Sequence, residues 1–331
     1  MQIDGIHHIS TMTGDGRAAT EFATGVLGLR LAAKTVNQDA PDMYHLFFTD
    51  EDAQPGADLT MFEVRGLPRG RDGAGMVHRI GYRVADVDAL AFWEQRLTRY
   101  GLPNRRVGDA LWFEDPEGLG FELVVDDSPD EPLSAVHPRI PAEVALRGFA
   151  GVRLYSRNPG ATATALEGPL GARRVDDPAT VDRTGGAATG RAPLSAHELR
   201  SDRRGAHVLV DAAPEQRPLQ GAGTVHHVAF GIREADYEAW DPHVRAAGLH
   251  TSGLVDRFYF HSIYFREPGG VLYELATDEP GFEARNPREE WGRKIILPPW
   301  LEPRRAEVEA GLQPIPDPRE DWDPEELAAT T

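Results

Sequence analysis

A short phrase with paired histidines occurs twice in this chain, and that repetition restricts the fold more than any other feature. Gly5-Ile6-His7-His8-Ile9-Ser10 stands near the start, and Thr224-Val225-His226-His227-Val228-Ala229-Phe230 repeats it far downstream. Each is a short apolar run with strand character, followed by a helical pattern that stops at a glycine, Gly28 or Gly248. Two runs of the same kind lie between them. Met76-Val77-His78-Arg79-Ile80-Gly81-Tyr82 precedes a helical stretch at 86–100, and a more degenerate copy opens at Gly148 and runs to Tyr155, with its helix at 158–170. A fold assembled from repeats must bury the open face of each unit against another.

The rest of each unit reads as strands. In the first these are Leu29 to Thr35, Met43 to Phe48 and Asp58 to Val64, and in the second Leu111 to Glu114 and Phe121 to Val125 around the turn Asp115-Pro116-Glu117-Gly118. Arg173 to Val175 and His207 to Val210 are the strands expected of the third unit, with a flexible loop at 185–191. Phe258 to Phe265 and Val271 to Leu275 close the fourth. The expected class is therefore α+β, with four βαβββ modules paired so that curved sheets enclose a cleft. Prolines at 129, 132, 138 and 141 mark the crossover between halves 1–140 and 145–285. The remaining tail, 286–331, begins apolar around Ile295-Ile296-Leu297-Pro298-Pro299-Trp300 and should lie on the body, while its acidic end should be flexible.

Charge and composition exclude several functions. The chain has no cysteine, which removes disulfides, thiolate chemistry and Cys-ligated metals. Its formal net charge of -18, with lysine only at positions 34 and 294, disfavours nucleic acid and anionic membranes. No signal peptide or long apolar span is indicated, so a cytoplasmic location is expected. Dinucleotide and phosphate loops, the Gly-x-Ser-x-Gly elbow and His-Glu-x-x-His are absent.

His8, His227 and Glu274 are the candidate metal ligands. Adjacent residues of a regular strand face opposite ways, so each histidine pair should supply one ligand. Glu274 sits in Val271-Leu272-Tyr273-Glu274-Leu275, where a carboxylate needs a partner or a metal. Two histidines and one carboxylate leave open positions on an octahedral ion, the pattern of non-haem iron(II) oxygenases, and the set also admits manganese(II). The site requires the first and fourth units to be neighbours. The ordinary reading of a strand-edge histidine is a polar surface group, and the repeated pairs weigh against it. Glu63 and Glu122 read as salt-bridged or structural, and His78 is the rival ligand. Arg257 could hold an anionic oxygen and Tyr264 could donate a hydrogen bond, although strict alternation puts them on opposite faces.

The repeats, the two His-His phrases and Tyr264-Phe265-Arg266-Glu267-Pro268-Gly269-Gly270 through Tyr273-Glu274 resemble the vicinal oxygen chelate superfamily of glyoxalase I, bleomycin-resistance proteins and extradiol dioxygenases. Within it, the chain is similar to hydroquinone-type ring-cleaving dioxygenases. That resemblance implies two glyoxalase-like domain regions, 1–140 and 145–285. It also implies iron(II) on His8, His227 and Glu274, with His7, His226, Ser10, Arg257 and Tyr264 around a small aromatic substrate and O2. Ser10 stands where threonine is frequent, and either supplies a hydroxyl. A homo-oligomer is compatible with it. A glyoxalase-type isomerase would need a second carboxylate from Glu63 or Glu122, and a non-catalytic protein that binds aromatic compounds or drugs is the other alternative.

Overall fold

The strands order themselves by module. Module one contributes β1 (Ile6–Thr13), β2 (Arg30–Asn37), β3 (Ala40–Thr49) and β4 (Asp58–Glu63), and module two contributes β5 (Met76–Val84), β6 (Asn104–Val107), β7 (Ala110–Glu114) and β8 (Gly120–Val125). Module three supplies β9 (Phe149–Tyr155), β10 (Arg173–Arg174), β11 (Ser195–Arg200) and β12 (Gly205–Asp211), and module four β13 (Thr224–Ile232), β14 (Val255–Asp256), β15 (Phe260–Arg266) and β16 (Leu272–Pro280). The helices after the first strands are α1 (Gly16–Thr20, continued by a π turn to Val26), α2 (Val87–Arg99), α3 (Pro159–Glu167) and α4 (Tyr237–Ala246). A last helix, α5 (Arg305–Gly311), lies in the tail. This computed structural model describes residues 1–125, 127–185 and 192–322. Of the loop expected at 185–191 only Gly185 is therefore described, and the tail beyond 322 lies outside the described residues.

Local chemistry explains the helix starts. Asp15 accepts from Arg17 N and Ala18 N, Asp86 from Ala89 N, and Asn158 from Ala161 N, so short polar side chains satisfy amide groups that a first turn leaves open. Leu90, Trp93 and Leu97 of α2 enter the same core as Ile80, Leu123 and Phe149. Three strands escaped the sequence reading, β6, β11 and the two-residue β14. β6 is an edge strand with exposed Arg105 and Arg106, and charge on an edge hides the apolar alternation while it protects the free ladder groups.

Two eight-stranded mixed sheets result, β14-β15-β16-β13-β1-β4-β3-β2 and β10-β11-β12-β9-β5-β8-β7-β6. Within each module the first strand runs parallel to the last, and modules meet through antiparallel first strands, β1 with β13 and β5 with β9. Each half of the sequence thus gives one module to each sheet, and modules one and four are the neighbours that the candidate site requires. The chain is an α+β fold of repeated modules in two curved mixed sheets, as the sequence pattern indicates.

The tail returns to module one. Ile296 N donates to Lys34 O (2.9 Å), Lys34 Nζ donates to Ile315 O (2.6 Å), and Trp291, Leu297 and Val308 are buried. Trp300 stays half exposed. No helix among the described residues is long and apolar enough to cross a membrane.

Candidate metal centre

Bulges set the geometry of both histidine pairs. Between β1 and β13 the register skips His7, since Ile6 pairs with Phe230 and His8 with Ala229. It skips His226 too, since Ser10 pairs with His227 and Thr11 with Val225. An extra residue breaks strand alternation. The rule that adjacent residues face apart therefore fails here: His7 Nδ1 lies 2.9 Å from His8 Nδ1, and His226 Nδ1 lies 2.7 Å from His227 Nδ1.

His8 Nε2 and His227 Nε2 are 3.2 Å apart and lie 3.1 and 2.8 Å from Glu274 Oε2. All three residues are buried, and among the described residues Glu274 Oε2 accepts no hydrogen bond. Ser262 Oγ donates to the other oxygen, Oε1, at 2.5 Å. Adjacent ligands of an octahedral ion bound at about 2.1 Å are √2 times that distance apart, about 3.0 Å. The triangle of donor atoms matches that spacing. The trio is compatible with a divalent metal site.

Tautomers follow from one backbone carbonyl. His7 Nε2 lies 3.0 Å from Thr277 O, which can only accept, so that nitrogen carries the proton. Burial, then His8 beside it, lowers the pKa of His7 to about 3, so the ring is neutral and its Nδ1 is bare. His8 Nδ1 must then donate to it, which leaves the lone pair of His8 Nε2 aimed at the centre. The second pair has no such carbonyl; a metal on His227 Nε2 would leave His227 Nδ1–H to donate to His226 Nδ1, with the His226 proton then on Nε2. Burial also lowers His227, with Glu274 opposing, and His226 falls to about 3 from burial and His227. Burial alone would raise Glu274, yet His8 and His227 hold it well below the usual carboxylate range. The ionised carboxylate is the form that a metal needs, and a metal at the centre would take the place of any imidazole proton that otherwise faces Oε2.

The centre opens into a cavity of about 350 Å3. His8, His226, His227, Arg257 and Tyr264 line it, with Phe47, Phe62 and Phe260 among its apolar walls. His7 sits behind His8, and Ser10 is buried with Oγ 2.6 Å from Thr60 Oγ1, so neither lines the cavity. Arg257 and Tyr264 do meet, against strict alternation: Arg257 stands in the turn after β14, beside Phe258 at φ +72°, and its Nε donates to Tyr264 OH at 3.2 Å. Arg257 also pairs with Asp39 at 3.0 Å. Burial, and then Glu274, push the Tyr264 phenol above its ordinary range despite Arg257, so it is a donor.

Two site residues escaped the sequence reading. Ser262 stands between Phe260 and Ile263 in a largely apolar strand and carries no motif of its own. His45 lines the cavity with its ring 4.1 Å from both Phe47 and Phe62, and only strand pairing reveals it.

The rival groups are spent elsewhere. Glu63 accepts from Gly16 N at 2.8 Å, and Glu122 accepts from Trp112 Nε1 at 3.0 Å in the other sheet, so neither supplies a second carboxylate to the centre. His78 pairs with Asp211 at 2.9 Å. Register equivalence places Arg79, Gly151 and Leu209 where the first sheet has His8, His227 and Glu274, so among the described residues the second sheet repeats the architecture without the ligands.

Comparison with known proteins agrees with this architecture. The family model of the Glyoxalase/Bleomycin resistance protein/Dioxygenase superfamily matches residues 5–123. "Putative ring-cleaving dioxygenase MhqA" of Bacillus subtilis (strain 168) is 38% identical, covering 95% of this chain and 100% of its own. The chlorohydroquinone/hydroquinone 1,2-dioxygenase of Sphingobium indicum is 30% identical, covering 96% of this chain and 97% of its own. A crystal structure of a "putative dioxygenase" from Bacillus subtilis subsp. subtilis str. 168 superposes with a TM-score of 0.85 at 35% identity, over 95% of this chain and 98% of that one. Glyoxalase I from Zea mays, at 16% identity and a TM-score of 0.57, shares the fold. This chain belongs to the glyoxalase, bleomycin-resistance and dioxygenase superfamily, close to its hydroquinone-type ring-cleaving dioxygenases.

Proposed function

We propose that this chain is a non-haem iron(II) dioxygenase that uses O2 to cleave the ring of a hydroquinone- or catechol-type compound. The observation that carries the reading is the convergence of His8 Nε2, His227 Nε2 and Glu274 Oε2 at the floor of an aromatic-lined cavity. Iron(II) held by these three atoms would supply dioxygen activation at its remaining positions. Relatives named as ring-cleaving dioxygenases over nearly the whole length support the same reaction class.

The chain's own residues have separable tasks. Phe47, Phe62 and Phe260 exclude water and give a planar ring apolar surface to lie against. Tyr264 pairs with Glu274 across β15 and β16, so the phenol and Arg257 stand at the metal end. There they donate to a ring oxygen as it gains negative charge. His226, with its proton on Nε2, is a third donor on the same side. His7 and Ser10 support the centre from behind.

Anaerobic reconstitution with iron(II), followed by oxygen uptake with hydroquinone, chlorohydroquinone, methylhydroquinone and catechol, tests the proposal. Uptake should match loss of ring absorbance and disappear in Glu274→Ala, which should also lose bound iron. Absence of uptake from a fully iron-loaded protein across that panel would sink the dioxygenase reading.

A further inference from the structure

We propose that His45 is a substrate-recognition residue that hydrogen-bonds the hydroxyl group farthest from the metal centre, selecting rings with a second hydroxyl there. The proposal rests on the reading that the cavity takes a phenolic ring. It concerns the wall opposite Arg257 and Tyr264. Sheet order runs β15-β16-β13-β1-β4-β3, so Tyr264 stands on one side of the His8 strand and His45 on the other, two strands beyond β1.

The imidazole is built into position. It lies 4.1 Å from Phe62 in a stacked arrangement and 4.1 Å from Phe47, tilted, which holds its plane. Its Nε2 is 3.0 Å from Thr60 Oγ1, and Thr60 Oγ1 is 2.6 Å from Ser10 Oγ. Nδ1 has no hydrogen-bond partner among the described residues, and the side chain lines the cavity. One nitrogen is tethered and the other is offered to whatever enters.

A histidine in an aromatic wall with one nitrogen unsatisfied is costly unless a ligand or water completes it. Burial, with His8 and His227 nearby, keeps the ring neutral, so it does not compete with the metal centre as a charge. The hydroxyl pair behind it can orient either way. If Thr60 donates to Nε2, then Nδ1–H donates into the cavity; if Thr60 accepts, Nδ1 accepts there. Both polarities suit a phenolic hydroxyl, which is donor and acceptor at once. A methyl group in the same place satisfies neither.

Calorimetric titration of the iron-loaded protein under argon, where no turnover occurs, tests this with hydroquinone and 4-methylphenol. The two ligands differ only in the group at the far end of the ring. The wild-type protein should bind hydroquinone about tenfold or more tightly, as expected when a buried partner is left unpaired by the methyl analogue. His45→Phe, which keeps the aromatic stack, should shrink that preference to about threefold or less or reverse it, because a methyl group gains more from apolar burial. His45→Gln should restore part of it. Thr60→Val, which leaves the imidazole in place without its tether, should weaken the preference to an intermediate value. Iron content and melting temperature are measured for each variant. A wild-type protein without the preference, or a His45→Phe protein that keeps it, would overturn the proposal. Oxygen uptake is scored separately: selective binding without uptake counts against the dioxygenase reading and leaves the role of His45 standing.

Discussion

Ser262 Oγ donates to Glu274 Oε1 across 2.5 Å, and this contact decides which carboxylate oxygen meets the two imidazoles. Oε2 is left facing His8 Nε2 and His227 Nε2. Ser262 is fully buried and lies on β15, beside the strand that carries Glu274. Without the hydroxyl, Oε1 would have to find another donor in a dry environment, and the carboxylate would rotate. Ser262→Ala should therefore weaken iron(II) binding about 10- to 100-fold, the range typical of losing a group that orients a ligand. Equilibrium dialysis against a competing chelator measures it. An unchanged affinity would mean that packing alone holds Glu274.

The two bulge histidines should separate in kinetics. His7 bridges His8 Nδ1 to Thr277 O behind the centre, while His226 bridges to His227 Nδ1 and also lines the cavity. His7→Phe removes the acceptor that sets the His8 tautomer. It should lower metal affinity about tenfold or more, with KM for the aromatic substrate unchanged once iron is saturating. His226→Phe should lower metal affinity similarly and also reduce kcat/KM at saturating iron, because the ring lines the cavity that the substrate enters. Iron titrations run alongside steady-state oxygen uptake give both numbers for each variant. Identical patterns from the two variants would contradict the different placements of the two rings.

Much of this architecture is legible in the sequence. The recurrence of Gly-Ile-His-His and Val-His-His at the start of two units located β1 and β13, and an isolated glutamate in an apolar closing strand located Glu274. Whole-module repetition indicated paired sheets, and the candidate ligand set required modules one and four to meet. The bulges were not legible, because one inserted residue leaves the composition and the apolar pattern of a strand almost untouched. Arg257 was misoriented for a related reason: a residue in a turn does not obey the alternation of the strands around it. His45, Thr60 and Ser10 are joined by register between β1, β4 and β3, which is a long-range property. A lone histidine within Tyr44-His45-Leu46-Phe47 carries no signal of that register.

Arg153 anchors the second sheet, where no metal ligands converge among the described residues. Its side chain is 1% exposed, and it reaches Asp211 through two bonds of 2.8 and 2.9 Å and Asp182 through one of 2.9 Å. It occupies the register position that Ala229 holds in the first sheet. Removing the guanidinium strands carboxylates that water cannot reach, and breaking a buried pair in this way costs about 3–5 kcal/mol. Arg153→Met should lower the urea midpoint accordingly while iron stoichiometry stays at the wild-type value, since the centre lies in the other sheet. A loss of less than about 1 kcal/mol would indicate that Asp211 and Asp182 are protonated or rehydrated at little cost.

Asp50 supplies a pH dependence with a definite sign. The residue is 4% exposed, and burial raises its pKa from 3.8 to about 6, although backbone donors including Gln54 N at 2.7 Å work against the shift. A carboxyl group whose pKa is higher in the folded state favours folding in its protonated form. Its contribution is fully present below the unfolded value of 3.8 and is lost as pH rises through about 6. A shift of that size corresponds to roughly 2–3 kcal/mol between the two limits. Asp50→Asn keeps an oxygen that can accept from Gln54 N and removes the ionisation. Its stability relative to the wild-type protein should therefore rise by about that amount between pH 4 and pH 8, with the change falling between 3.8 and about 6 and levelling off above that. Urea unfolding of both proteins across this range checks it. A constant difference at every pH would mean that Asp50 is hydrated in the folded protein and titrates normally.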